Sequence, residues 1–201
     1  MKQIITFILV LNNLILNAQI NNLVEYNFVQ KDGFNEILKE YLVFNERDLY
    51  YANITNKENV NFEELNLAEV GFNLEPIYVN LKTDSLYQSK LGIDTNKSSE
   101  YKRFVTVEEI PKLKWLLTKE TQKKLGYTTY KALTTFRGKD YIVWFTPEIP
   151  FNYGPWKLHG LPGLILKAET DSFEFEAKRI LLNSKNISTI DNFKKMENAK
   201  V

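Results

Sequence analysis

The chain has 201 residues, 44% hydrophobic and 25% charged, the composition of one globular domain that can bury a core without disulfide staples. Its 26 Lys and Arg and 25 Asp and Glu concentrate nowhere, which argues against a nucleic-acid surface or a polybasic membrane patch. Cysteine is absent and histidine occurs once. That excludes a disulfide framework, a thiolate nucleophile and any Cys-based or His-rich metal site, and no Asp-x-Asp-x-Asp-Gly calcium loop occurs, so no cofactor is expected.

The N-terminus reads as a secretory signal peptide. Lys2 supplies the positive start, Ile4 to Leu16 is mostly apolar, and Leu16-Asn17-Ala18 offers a small residue for cleavage before Gln19. Asn12 and Asn13 interrupt the apolar run, which falls short of the ~20 residues that a spanning helix needs. No cysteine follows it to carry a lipid anchor. The expected organisation is a signal peptide over 1–18 and a single β domain over 19–201. The expected location is exported: periplasmic, outer-envelope associated or secreted, and not membrane-spanning after cleavage. Removing residues 1–18 deletes Lys2 and no acid, leaving 25 charges of each sign.

The remaining chain reads as mainly β. Leu23 to Val29 alternates as a first strand. Tyr41 to Phe44 and Leu49 to Ile54 flank Asn45-Glu46-Arg47-Asp48 as a hairpin. Residues 56–74 are polar and Asn-rich, with one helical turn expected around Glu63 to Glu69. Strands follow at Ile77 to Leu81, Ser85 to Gln88 and Tyr101 to Val107, with residues 89–100 expected as an exposed loop. Trp115 to Glu120 and Lys123 to Leu125 flank a polar turn. Tyr127 to Arg137 and Tyr141 to Thr146 are strands joined by Arg137-Gly138-Lys139-Asp140. Leu164 to Thr170 and Phe173 to Ile180 form a last hairpin, in whose second arm Phe173, Phe175 and Ala177 alternate with Glu174, Glu176 and Lys178, as in a half-solvated sheet. Asp191 is the N-cap of a short helix in the tail. The sum is a meandering antiparallel sheet with few short helices.

Residues 147–163 stand apart, holding four of the six prolines and three of the eight glycines. Proline fixes φ and glycine opens conformations that other residues resist, so this segment is a preset path rather than a floppy loop. Trp156 and Leu158 offer apolar surface to pin it. It joins two strands that need not be adjacent, and is expected to cross an open end or face of the sheet.

The stretch Gly126 to Leu166 resembles the signature region of the GLPGLI family, secreted proteins concentrated in the Bacteroidota and named for the letters at Gly160, Leu161, Pro162, Gly163, Leu164 and Ile165. Phe136-Arg137-Gly138, Trp144-Phe145-Thr146 and Gly154-Pro155-Trp156 match as well, and so do Trp115 and Phe173-Glu174-Phe175. The resemblance is strong over 115–180 and loose over 20–110. It departs at Tyr130, before Lys131-Ala132, where members often carry cysteine. A related module is similar to the N-terminal bowl-shaped domain of a peptide:N-glycosidase, where it is an accessory domain. The resemblance implies a curved open antiparallel sheet, a bowl or half-barrel, and transfers no activity. The triplet Asp84-Ser85-Leu86 resembles an acceptor pattern for O-glycosylation of exported proteins.

Candidate site residues are Glu148, Trp156 and His159, on the flanks of a motif (Gly154, Pro155 and Gly160 to Ile165) that itself carries no reactive group. His159 has no Gly-x-Ser-x-Gly serine and no second histidine to work with. Glu148, Asp140 and Asp171 are the carboxylates for a paired-acid site, although Asp140 and Asp171 read better as turn residues. Arg137 is expected to pair with Asp140, and Trp144 to pack in the core. These features favour a non-enzymatic binding or accessory module for a peptide, glycan or envelope protein. The alternatives are a hydrolase using Glu148 as acid or base, and a structural envelope protein whose motif closes the sheet.

Overall fold

The computed structural model describes residues 21–31, 33, 36–53, 62, 75–94, 100–185 and 187. The expected leader, the helical turn over 63–69 and the helix start at Asp191 lie outside them. Eleven strands run in chain order: β1 (Asn21–Gln30), β2 (Ile37–Phe44), β3 (Asp48–Asn53), β4 (Ile77–Asn80), β5 (Ser85–Asp94), β6 (Glu100–Glu109), β7 (Leu116–Lys124), β8 (Tyr127–Phe136), β9 (Lys139–Thr146), β10 (Leu164–Glu169) and β11 (Phe173–Ser184). Among the described residues there is no α-helix.

All eleven strands form one sheet in the order β6-β5-β4-β3-β2-β1-β11-β10-β9-β8-β7, every neighbour antiparallel. The chain meanders outward from β1 to the β6 edge, jumps to the opposite edge at β7, and meanders back to β1. Only residues 110–115 separate β6 from β7. That link reaches ~25 Å at most. In a flat sheet of this order, edges ten strand spacings apart would stand ~48 Å from each other. The sheet must therefore curl. It also stays open, because an odd number of alternating strands leaves β6 and β7 running the same way. Joining them would need a parallel pair, whose crossover takes about a dozen residues or more.

Two expectations fail here. Residues 89–94 are not loop: β5 and β6 pair from Ser85↔Glu109 to Asp94↔Glu100. This hairpin lies at the sheet edge, where Leu91 and Phe104 remain exposed, so it lacks the clean alternation that marks a buried strand. The turn expected after Glu120 is a bulge between Leu117 and Thr121 in a continuous β7. That strand is the other edge, and a bulged, Lys-rich edge resists pairing with other chains.

The segment 147–163 crosses a face of the sheet, as expected. It joins adjacent strands, since Leu164 pairs with Thr146. The chain leaves β9, folds over the inner face of the curl, and returns beside its point of departure. Ile149, Tyr153, Leu158 and Leu161 are buried there in one cluster with Val24, Leu42, Phe44, Leu49, Val79 and Leu86 from one wing and Ala132, Val143, Leu166 and Phe175 from the other. The rings of Phe151 and Tyr153 lie 4.9 and 5.3 Å from that of Phe44. A smaller cluster on the outer face joins Leu23, Tyr41, Val43, Tyr50 and Tyr78 with Phe62 and Ile187. Strand alternation assigns each residue to its face, as in Leu42 and Phe44 inward against Tyr41 and Val43 outward. By the same rule Trp144 faces outward between inward Val143 and Phe145. It is half-buried beside Lys131 and Lys167, not in the core.

Two glycines make the fold-over possible. A Cβ on Gly163 would collide with the Thr146 carbonyl group, and one on Gly154 would sit 2.8 Å from the Ile165 Cβ. Both are places where the segment lies against the β9–β10 pair with no room for a side chain. The return is fixed by backbone bonds from Leu164 to Ile149 O and from Ile165 to Tyr153 O, at 3.0 and 2.9 Å.

A charged clamp fastens the segment across the curl. Lys157 Nζ pairs with Glu108 Oε1 of β6, and Arg137 Nη2 of the β8–β9 turn reaches Glu108 Oε2 at 2.7 Å. Arg137 thus pairs with Glu108 rather than with Asp140, whose carboxylate accepts from Thr135 Oγ1 at 2.6 Å. Curling brings an edge strand to the turn, whereas Asp140 lies along β9 from it. Partial burial pushes the Glu108 carboxyl up, but the Lys157 and Arg137 cations outweigh this and hold it below the usual range. Burial lowers Lys157, and Glu108 offsets only part of that.

Two stability measurements follow. Gly163→Ala is expected to cost more than about 3 kcal/mol in urea unfolding, because the backbone itself must move. Glu108→Ala is expected to cost about 2–3 kcal/mol by leaving the buried Lys157 ammonium unpaired, and Lys157→Met about 1 kcal/mol or less. Equal losses for the last two would contradict the clamp.

Candidate functional site

A cavity of about 180 Å³ opens between the crossing segment and the inner face of β3–β5. Its floor is apolar, made by Leu49, Val79 and Leu86, inward positions of their strands. Trp156, His159, Asp84 and Lys112 are among the residues around it. An apolar cavity of about 150 Å³ takes a benzene ring, whereas pockets for whole small-molecule ligands run from about 300 Å³. This one fits a single ring-sized group.

Trp156 is half-buried and sits at φ +55°, a conformation that a non-glycine residue adopts only when its surroundings enforce it. Those surroundings are the Phe136 ring at 5.5 Å, Arg137 5.8 Å from the indole centroid, and the bond from Leu158 N to Pro155 O at 3.1 Å. The indole is thus held by the same charged cluster that fastens the crossing segment.

His159 sits in a short antiparallel bridge with Tyr153. Its carbonyl accepts from Trp115 Nε1 at 2.9 Å, so the end of the 110–115 link pins the segment. Its Nδ1 lies 3.0 Å from Lys157 O, and the Pro111 carbonyl also approaches the ring. Burial lowers the imidazole below its ordinary 6.5, an effect that these carbonyls and Asp84 only partly offset.

Glu148 is elsewhere. It is exposed, and its Oε1 accepts from Thr128 N at 2.7 Å, fastening the first turn after β9 to the start of β8. The structure therefore brings Trp156 and His159 together at one cavity and leaves Glu148 outside it. Gly154, Pro155, Gly160, Leu161, Pro162 and Gly163 form the path, while Leu164 and Ile165 begin β10. Asp171 is an exposed turn residue 3.8 Å from Lys139 Nζ. Ser85 opens β5 behind Asp84, its hydroxyl donating to Thr83 O at 3.1 Å. Among the described residues, no group of three or more His, Asp or Glu side chains is placed to hold a metal ion, and no helix is long and apolar enough to cross a membrane.

Glu108 and Lys157 support the site without any local sign in the sequence. One is an edge-strand acid and the other a lysine inside the motif, 49 residues apart. Trp115 was the available signal, an indole standing alone before a polar strand.

The depressed imidazole gives a pH dependence with a definite sign. The unfolded chain takes up the His159 proton first, near pH 6.5, and the folded chain only at lower pH. His159 therefore contributes stability that is full above the unfolded value and lost as pH falls through the folded one. Melting curves of His159→Gln are expected to lose this part of the acid dependence, and an unchanged pH profile would contradict the burial.

The comparisons with known proteins agree with this architecture. Solved structures of PNGF-II in a C2 and a P21 crystal form match with TM-scores of 0.61 and 0.60. Sequence identity is 20% and 21%, and the matches cover 90% and 87% of this chain. They cover 30% of each PNGF-II chain, so this chain spans about a third of that protein's length, and the likeness is one of fold. Among curated proteins none matches. The family model that matches does so over residues 42–200, most of the chain. The chain belongs to the family described as N-glycanase peptide, N-terminal domain.

Proposed function

We propose that this protein is an exported, non-enzymatic binding or accessory module whose inner face receives one residue of a glycan or peptide. The observation that carries the reading is the ring-sized cavity beside the crossing segment, apolar at its floor and flanked by Trp156 and His159. Such a site suits a group with an apolar face and polar edges, a sugar ring or an aromatic side chain. Membership in a family of N-glycanase N-terminal domains supports a glycan or glycopeptide as ligand. The GLPGLI-like motif and the leader over 1–18 support export. The open cavity favours this reading over a role in closing the sheet alone, and the exposure of Glu148, outside the cavity and bonded to the Thr128 amide, favours it over the hydrolase reading.

Calorimetric titration of the protein with an N-glycopeptide, the free glycan and the bare peptide tests this. At least one is expected to bind. Leu86→Trp, which fills the cavity, and Trp156→Ala should each weaken it by about tenfold or more, an effect of ~1.4 kcal/mol. Glu148→Gln should leave it unchanged. Binding that survives a filled cavity would overturn the assignment.

A further inference from the structure

The two edges of the sheet differ. The β7 edge is bulged and rich in lysine, and so resists pairing. The β6 edge has neither bulge nor proline, and it keeps one register with β5 from Ser85↔Glu109 to Asp94↔Glu100. Its apolar side chains stay in solvent: Tyr101 is 72% exposed, and Phe104 and Val107 are each 45% exposed. A long, regular edge of this kind is a template for another strand.

The ladder to β5 shows which backbone groups face outward. Ile110 N donates to Asp84 O at 3.1 Å, a hydrogen-bonded pair in the register of β5 and β6. Such pairs alternate with non-bonded ones along an antiparallel ladder. The even-numbered residues of β6 therefore bond to β5. Arg103, Val105, Val107 and Glu109 turn their N–H and C=O groups away from it, to the side where no described strand lies.

The sequence of β6 selects the partner. Lys102 and Arg103 stand towards one end, Glu108 and Glu109 at the other, and Phe104, Val105 and Val107 between them. An antiparallel copy of the same strand sets the basic end against the acidic end. A two-fold axis normal to the sheet keeps both inner faces on one side, so residues opposite each other must share a face. With Thr106 on the axis, Val105 meets the partner's Val107 and Arg103 meets the partner's Glu109, and symmetry repeats both contacts. All of these positions have outward backbone groups. Arg103 and Glu109 are exposed, and neither has an ion-pair partner among the described residues. Glu108, already held by Lys157 and Arg137, is not called on.

The apolar contact also extends a row on the outer face. Tyr50, Tyr78, Tyr87 and Val107 are successive cross-strand partners, with the tyrosine rings stacked at 4.9 and 5.6 Å. The row ends in solvent at Val107 and would resume at the partner's Val105.

We propose that two copies of this chain pair antiparallel through β6, forming a two-fold dimer with one sheet continuous across both. Because the β7 edge resists pairing, assembly stops at the dimer. The proposal does not depend on the cavity beside Trp156.

Sedimentation equilibrium of the full chain is expected to show a monomer–dimer equilibrium at about 100 μM or below. Arg103→Glu and Glu109→Arg each set like charges opposite one another at both symmetric contacts, and each should weaken the dimer about tenfold or more. Mixed together, the two variants should form a heterodimer within about threefold of the wild-type affinity, because every contact again joins a cation to an anion. Val107→Pro withdraws an N–H aimed at the partner and none from β5, and should sediment as a monomer. Should Val107→Pro fail to fold, the charge variants decide, since they alter only exposed side chains. A monomeric wild-type protein would overturn the proposal and leave the edge to another segment of the chain or to solvent. A dimer indifferent to both charge reversals, or a mixture no tighter than either variant alone, would overturn it as well.

Discussion

The structure depends on the short link between its two edge strands. Residues 110–115 must carry the chain from β6 to the far side of an eleven-strand sheet. No flat sheet permits this, and the odd strand count forbids a hairpin closure. The sheet therefore bends into an open curl with one inner face, and that face must be filled. Residues 147–163 fill it. Their prolines and glycines suit a backbone that must lie flat against a neighbouring strand pair and still turn back on itself. Without the curl, Glu108 would be eight strand spacings from β9, at ~38 Å, and unable to meet Arg137 or Lys157.

This arrangement explains why the conspicuous motif letters and the cavity are neighbours but not the same thing. Gly163 and Gly154 serve close approach. Leu158 and Leu161 serve the core. The groups left over on the flanks, Trp156 and His159, face the gap between the segment and β3–β5, where the filling is incomplete. A curled sheet plugged at one place leaves inner surface on either side of the plug.

Most strands were legible because inward and outward residues alternate, as in Phe173, Phe175 and Ala177 against Glu174, Glu176 and Lys178. Legibility failed at the edges. The outer end of the β5–β6 hairpin, where Leu91 is exposed, looks like loop, and the β7 bulge looks like a turn. Trp144 was read inward because a tryptophan within an apolar run resembles core, but the alternation set by Val143 and Phe145 turns it outward. Trp156 and His159 were visible through the odd composition around them. The contacts of Glu108 with Arg137 and with Lys157 were not. Their meaning comes from which strands are neighbours and which face is inner, and spacing along the chain carries neither.

The central claim is the curl, and a distance across it tests this most directly. The chain has no cysteine, so Glu109→Cys on β6 and Asp140→Cys on β9 would carry the only two spin labels. The curl predicts an electron–electron distance below about 25 Å, given a link of that reach and the Glu108–Arg137 contact beside both positions. A distance near the ~38 Å of eight flat strand spacings, or longer, would contradict it.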